Sequence, residues 1–143
     1  MPISPAARSL FFAALVMTLG AGHPPPNNEV LDRVETGMEA ADASAVLEDA
    51  GTRVEIVLFG QGGVFRQAQA GHVLRDFFRR HPPDRVEFSE PSSSDDGQTA
   101  TGRYYTRAGG APLSVRVMLR GAGSEWELAS IRIDQRTVRP SGL

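Results

Sequence analysis

One segment restricts the fold more than any other. Between Gln67 and Arg80, Ala70, Val73, Leu74, Phe77 and Phe78 recur at i, i+3, i+4, i+7 and i+8, which makes a single apolar stripe along an α-helix. Arg79, Arg80 and His81 fill the last turn, where positive charge suits the helix dipole. Pro82–Pro83 then stops the helix. A stripe this wide has to be covered, and the chain that follows supplies the cover. Leu113, Val115, Val117 and Leu119 alternate with Ser114, Arg116, Met118 and Arg120, the period-two pattern of a strand with one apolar face.

The rest of the second half reads the same way. Strands are expected at Val86–Ser89 and Thr99–Arg107, with a polar loop from Ser92 to Gly97 and an Asp96–Gly97 turn between them. Glycine turns follow at 108–110 and 121–123. Trp126 and Leu128 share a face, whereas Ile131 and Ile133 are out of phase with them; a bulge near Ala129–Ser130 would bring them back.

Ahead of the long helix, Val30, Leu31, Val34, Met38 and Ala41 give a first amphipathic helix over about 28–41, capped by Asn27 or Asn28. Asp32, Arg33, Glu35 and Glu39 occupy its other side. Asp42 caps a short second helix with the stripe Ala43, Val46, Leu47 and Ala50, ended by Gly51. Arg53–Phe59 is a strand by its β-branched and aromatic content, Gly60–Gly63 a turn and Val64–Phe65 a brief return strand. Two helices, a strand pair, a long helix and a four-stranded meander make an α+β domain: N-terminal helices and one long helix packed on a strongly curved antiparallel sheet.

The 143 residues have room for one domain. Residues 1–22 read as a signal peptide: Arg8, an apolar run from Leu10 to Leu19, and small residues before a cut after Gly22, with a cut after Ala21 as the alternative. That run is half the length of about 20 residues that spans a bilayer. The chain is therefore expected in the periplasm or outside the cell, with no stable membrane anchor. Residues 23–28 form a linker, 29–136 the domain and 137–143 a frayed tail. No cysteine is present, which excludes disulfides, thiol catalysis and cysteine-bound metal. All 15 basic residues are arginine, so no lysine Schiff base can form. A net charge of −2 argues against a nucleic-acid partner.

The order of elements resembles the nuclear-transport-factor-2-like superfamily, the cone-shaped relatives of the cystatin-like fold. The run Gly62–Gly63–Val64–Phe65–Arg66–Gln67–Ala68–Gln69–Ala70, then Val73–Leu74–Arg75–Asp76–Phe77–Phe78 and Pro82–Pro83, is similar to one exported bacterial branch, domain of unknown function 4783. The likeness spans roughly Val30 to Ile133 and implies fold and export; the family passes on no catalytic residues. One departure is Arg66, where the family favours a serine able to cap the helix.

No residue pattern specifies a reaction, a cofactor or a metal. His72 and Asp76 lie four apart on the long helix, beside Arg75 and Arg79, and read as a solvated polar face rather than part of a triad. Gly60–Gln61–Gly62–Gly63 lacks the lysine and spacing of a phosphate loop. His23, His72 and His81 have no metal-ligand spacing, and Asp95–Asp96–Gly97 lacks the other ligands of a calcium loop. Arg75, Arg79, Arg80 and Arg85 form a positive patch suited to an anion.

The residues expected to line a ligand site inside the cone are Tyr104, Trp126, Phe77 and Glu55. Two functions follow as expectations. The first is a non-enzymatic module of the bacterial envelope that binds a small apolar or anionic ligand, or an envelope protein. The second is a small isomerase or hydrolase, which the resemblance implies would use an inward carboxylate and a tyrosine, as steroid isomerases of the superfamily do. A homodimer through the sheet is a further expectation, because strand faces bearing Leu, Val and Trp invite association.

Overall fold

The computed structural model describes residues 26–122 and 125–135. The expected signal peptide, the first half of the linker and the tail after Gln135 lie outside the described residues.

The first helix, α1, runs Pro26–Glu39, two residues earlier than its periodicity suggests and into the expected linker. Val30, Leu31, Val34 and Met38 of its stripe are buried, Val34 and Met38 fully; the helix stops at Glu39, so Ala41, expected as the last residue of the stripe, lies beyond it, exposed at φ +53°. Asp42 caps α2, Ala43–Val46, by accepting a hydrogen bond from the Ala45 amide at 3.1 Å. That helix is one turn long. Ala50 and Gly51, expected at its end, instead open the strand β1, Ala50–Leu58.

A two-residue turn at Phe59–Gly60 leads into β2, Gln61–Arg66, with Leu58 opposite Gln61. The turn therefore sits ahead of the glycine cluster in which it was expected. The stripe-bearing helix α3 covers Gln67–Arg80, as its sequence requires, and buries Ala70, Leu74, Phe77 and Phe78. Arg66 occupies the N-cap position without a side-chain cap; the Gln67 side chain ties the helix start to the Leu47 carbonyl instead, at 2.7 Å.

Then come β3 (Pro83–Phe88), β4 (Ser92–Ser94), β5 (Gly97–Thr106), β6 (Leu113–Ala122) and β7 (Glu125–Gln135). The polar loop expected at Ser92–Gly97 is a small hairpin. Ser94 faces Gly97, so its turn is Asp95–Asp96, one residue earlier than expected. The strands form one sheet in the order β2–β1–β7–β6–β5–β3, with β4 beside β5. All pairings are antiparallel except β1 with β7, which run parallel.

Met118 pairs with Ser130 and Leu119 with Leu128. Ala129 is thus the extra residue of a bulge, and Leu128, Ile131 and Ile133 all reach the core with no exposed surface. The helices lie on the inner side of the curved sheet over Val54, Ile56, Val86, Tyr104, Val115 and Val117.

Candidate functional site

The inside of the cone is filled. Tyr104, Met38, Ile56, Leu74 and Leu119 close it with almost no accessible surface. Of the four residues expected to line a ligand site, Phe77 and Tyr104 meet in the core, while Glu55 and Trp126 lie away from them. Tyr104 is fully buried and its hydroxyl donates to the His81 carbonyl at 2.5 Å, which satisfies an end carbonyl of α3. Glu55 lies between the buried Val54 and Ile56, so strand alternation turns it to the outer face of the sheet, where the Ser130 hydroxyl donates to it at 3.0 Å. Trp126 lies against Gly121 at the β6–β7 end. The inward carboxylate and tyrosine needed by the expected enzyme are therefore not supplied by Glu55 and Tyr104. Glu55 borders a smaller hollow of about 300 Å³ on the outer sheet face, and Phe77 borders a larger open space.

That space is a groove of about 630 Å³ between the second half of α3 and the β1–β2 turn. Leu58, Phe59, Val73 and Phe77 give it an apolar floor; Gln61, His72, Asp76, Arg80 and His81 give it a polar rim. Its aromatic wall is ordered by stacking. The Phe59 ring lies 6.3 Å from Phe77 and 5.2 Å from the His81 ring, and Phe77 and His81 are 5.1 Å apart. Behind them, Phe77 contacts Phe78 at 5.8 Å and Tyr104 at 5.3 Å, which anchors the wall in the core.

Phe59 reaches this position only through an unusual backbone. Its φ is +53° and that of Gly60 is +78°, the double positive φ of a type I′ hairpin turn. Asparagine and glycine suit the first of those positions; a bulky phenylalanine there is an outlier. The Phe59 amide is fixed by the Ile133 carbonyl at 2.8 Å, and the ring remains 39% exposed. Sequence reasoning missed this residue because it reads as the last apolar side chain of a strand.

The rim charges are partly tied to one another. Asp76 does not meet His72: it holds Arg79 at 3.0 Å and Arg80 at 3.2 Å, while Arg75 points to His72 Nδ1 at 3.3 Å. The positive patch is split as well, because Arg85 turns to Glu87 at 3.5 Å and over the Tyr105 ring at 4.2 Å. Among the described residues no three His, Asp or Glu side chains gather as a metal site, and no helix is long and apolar enough to cross a membrane.

The sequence profile of the family called domain of unknown function (DUF4783) matches residues 31–134. No curated protein matches the chain. Among solved structures, a DUF4783 protein from Bacteroides ovatus superposes with a TM-score of 0.66 at 18% identity, over 73% of this chain and 94% of that one. A protein of unknown function with a cystatin-like fold from Nostoc punctiforme gives 0.59 at 14% identity, over 80% and 92%. A protein of unknown function described as NTF2-like, from Shewanella baltica, gives 0.60 at 15%, over 76% and 90%. At these identities the likeness is one of fold.

Proposed function

This chain belongs to the DUF4783 family, and on that premise we propose that it is an exported, non-enzymatic binding module. Its ligand is small, with a flat apolar part and an anionic part, and it seats in the groove between α3 and the β1–β2 turn. The observation that carries this reading is Phe59. A residue held at φ +53° with its ring against Phe77 and His81 maintains local strain that an asparagine would relieve, and such strain concentrates at ligand clamps. The floor suits an aromatic or alicyclic face. The Arg80 guanidinium and the two histidines at the rim suit a carboxylate or phosphate edge. None of the residues lining the groove is a serine, threonine or tyrosine that could act as a hydroxyl nucleophile.

The test is a titration with 1-naphthoate and with its neutral analogue naphthalene, read by the ring resonances of His72 and His81. The reading requires saturable shifts of the His81 ring with naphthoate, weaker binding with naphthalene, and loss of both in Phe59→Ala. Unmoved histidine rings across a panel of aromatic carboxylates and phosphates would refute it, and so would catalytic turnover of a bound ligand.

A further inference from the structure

The sheet has two lateral edges, and the fold treats them differently. The β3 edge is closed. Its first residue is Pro83, which has no N–H, and Asp84, Arg85 and Glu87 load it with charge. Glu39 of α1 accepts from the Val86 amide at 3.2 Å, and Glu35, one turn earlier, interacts with the Phe88 amide.

The β2 edge has none of these guards. Its six residues Gln61–Arg66 contain no proline and a single charge, Arg66 at the end. Among the described residues no side chain or additional backbone bonds to it beyond its partner β1. Val64 on it is 60% exposed, the highest value among the exposed large hydrophobic residues. The first turn of α3, which follows directly, exposes only the uncharged Gln67, Ala68 and Gln69.

The register shows which backbone groups are free. Leu58 opposite Gln61 closes a two-residue turn, so that pair exchanges both of its hydrogen bonds, and alternation makes Ile56–Gly63 and Val54–Phe65 bonded pairs as well. Gly62, Val64 and Arg66 therefore direct their N–H and C=O groups away from the sheet. Gly62 has to be glycine, because a Cβ there would collide with the Ile56 carbonyl. Gly63 does not: a Cβ at that position meets nothing within 4 Å. A glycine that its own fold does not need, on an open edge, marks a place where another chain comes close.

We propose that a second copy of this chain occupies the edge. The two β2 strands pair antiparallel about a two-fold axis at Val64, and each sheet continues into the other. A two-fold of this kind keeps like faces together, so facing residues share a side of the sheet. With Val64 opposite the partner's Val64, Gly62 faces the partner's Arg66 and Gly63 faces the partner's Phe65. All three outward-directed residues are then bonded. The exposed valines cover each other, and each phenylalanine ring fills the open space over a glycine. The two Arg66 side chains stay at opposite ends. Centring the axis on Gly63 instead sets glycine against glycine and leaves the Val64 side chain facing Gly62. Face-to-face association is less favourable, because on the outer face Arg116 stands directly opposite Arg132.

The chain has no cysteine, which makes a crosslinking test clean. Residues opposite each other at a two-fold in a bonded pair are about 5.5 Å apart at Cα, within disulfide range. Val64→Cys should give a covalent dimer on mild oxidation. Met118→Cys, also on the outer face and 42% exposed, should not. The unmodified domain should run as a dimer by light scattering at micromolar concentration, and Val64→Lys should run as a folded monomer with unchanged circular dichroism. A monomeric wild type, a dimer that survives Val64→Lys, or equal crosslinking at positions 64 and 118 would overturn the proposal.

Discussion

Glu39, the last residue of α1, accepts a hydrogen bond from the backbone amide of Val86 at 3.2 Å, on a strand that no other strand flanks on that side. This contact gives α1 a second role besides burying Val34 and Met38: it closes the β3 edge. Removing the acceptor in Glu39→Ala leaves an amide at a residue with 1% exposure unbonded. The expected cost is about 1–3 kcal/mol, with faster hydrogen exchange at Val86. Glu39→Gln keeps an acceptor and should retain most of the protection. Unchanged exchange at Val86 in Glu39→Ala would show that water serves the edge equally well.

Glu35 lies one turn earlier and yields a pH prediction. Burial is the main force pushing its carboxyl above the ordinary 4.5. The Phe88 amide opposes the shift, and the negative charges of Glu39, Asp32 and Glu87 add to it. Because the folded value is raised, the native state binds more protons than the unfolded chain between the two values. The stability tied to this group is then complete below the unfolded value and is lost as pH rises through the folded one. Glu35→Gln should therefore be more stable than wild type at neutral pH and should show a flatter melting-temperature profile across the mildly acidic range. A variant whose profile parallels wild type would assign the slope to other groups.

The two tyrosines are adjacent in sequence and should titrate apart. Strand alternation puts Tyr104 in the core, where burial raises its phenol well above the usual range. Tyr105, on the outer face, is lowered by hydrogen bonding to Arg103 and Arg85. Tyrosinate absorbance should rise in two steps, first with Tyr105 and then only when alkali unfolds the domain. Tyr104→Phe should remove the second step. It should also destabilise by about 1–3 kcal/mol, because the His81 carbonyl loses its donor. A single step of two phenols in native protein would contradict the packing.

Local signals carried the fold and only part of the site. The α3 stripe, the Asp42 cap and the out-of-phase pairs of β7 are written in a few adjacent residues, and each sits where its pattern requires. Ala50–Gly51 could not be read as strand, since neither residue favours a strand and Gly51 looks like a helix end; the strand starts there because Ala50 pairs with Leu128, far along the chain. The parallel β1–β7 contact is equally invisible, being fixed by closure of the whole sheet. Phe77 was legible as a core-facing residue through its place on the stripe, but the groove beside it was not. Tyr104 and Glu55 were not placed correctly, because periodicity separates the two faces of a strand without showing which hydroxyl is already bonded. Phe59 gave no signal, since nothing in a phenylalanine announces positive φ.

Phe59 also separates strain kept for a ligand from strain of no consequence. At φ +53° it occupies the first position of a turn that asparagine fills comfortably, and a residue forced into such a region costs about 1–3 kcal/mol. Phe59→Asn removes that cost, but it also removes a ring 39% exposed that packs on Phe77 and His81 at the groove wall. About three-fifths of the side chain is buried, and the burial lost is of the same order as the strain relieved, so the melting temperature should move little. Binding in the groove should fall, because the wall facing His81 is gone. Lost affinity at nearly unchanged stability is the expected result, measured by calorimetric melting and by the naphthoate titration on one variant. If Phe59→Asn strongly destabilises the domain, the ring is a structural plug and the strain is compensated by packing alone; if binding is unaltered, the ligand does not use this wall.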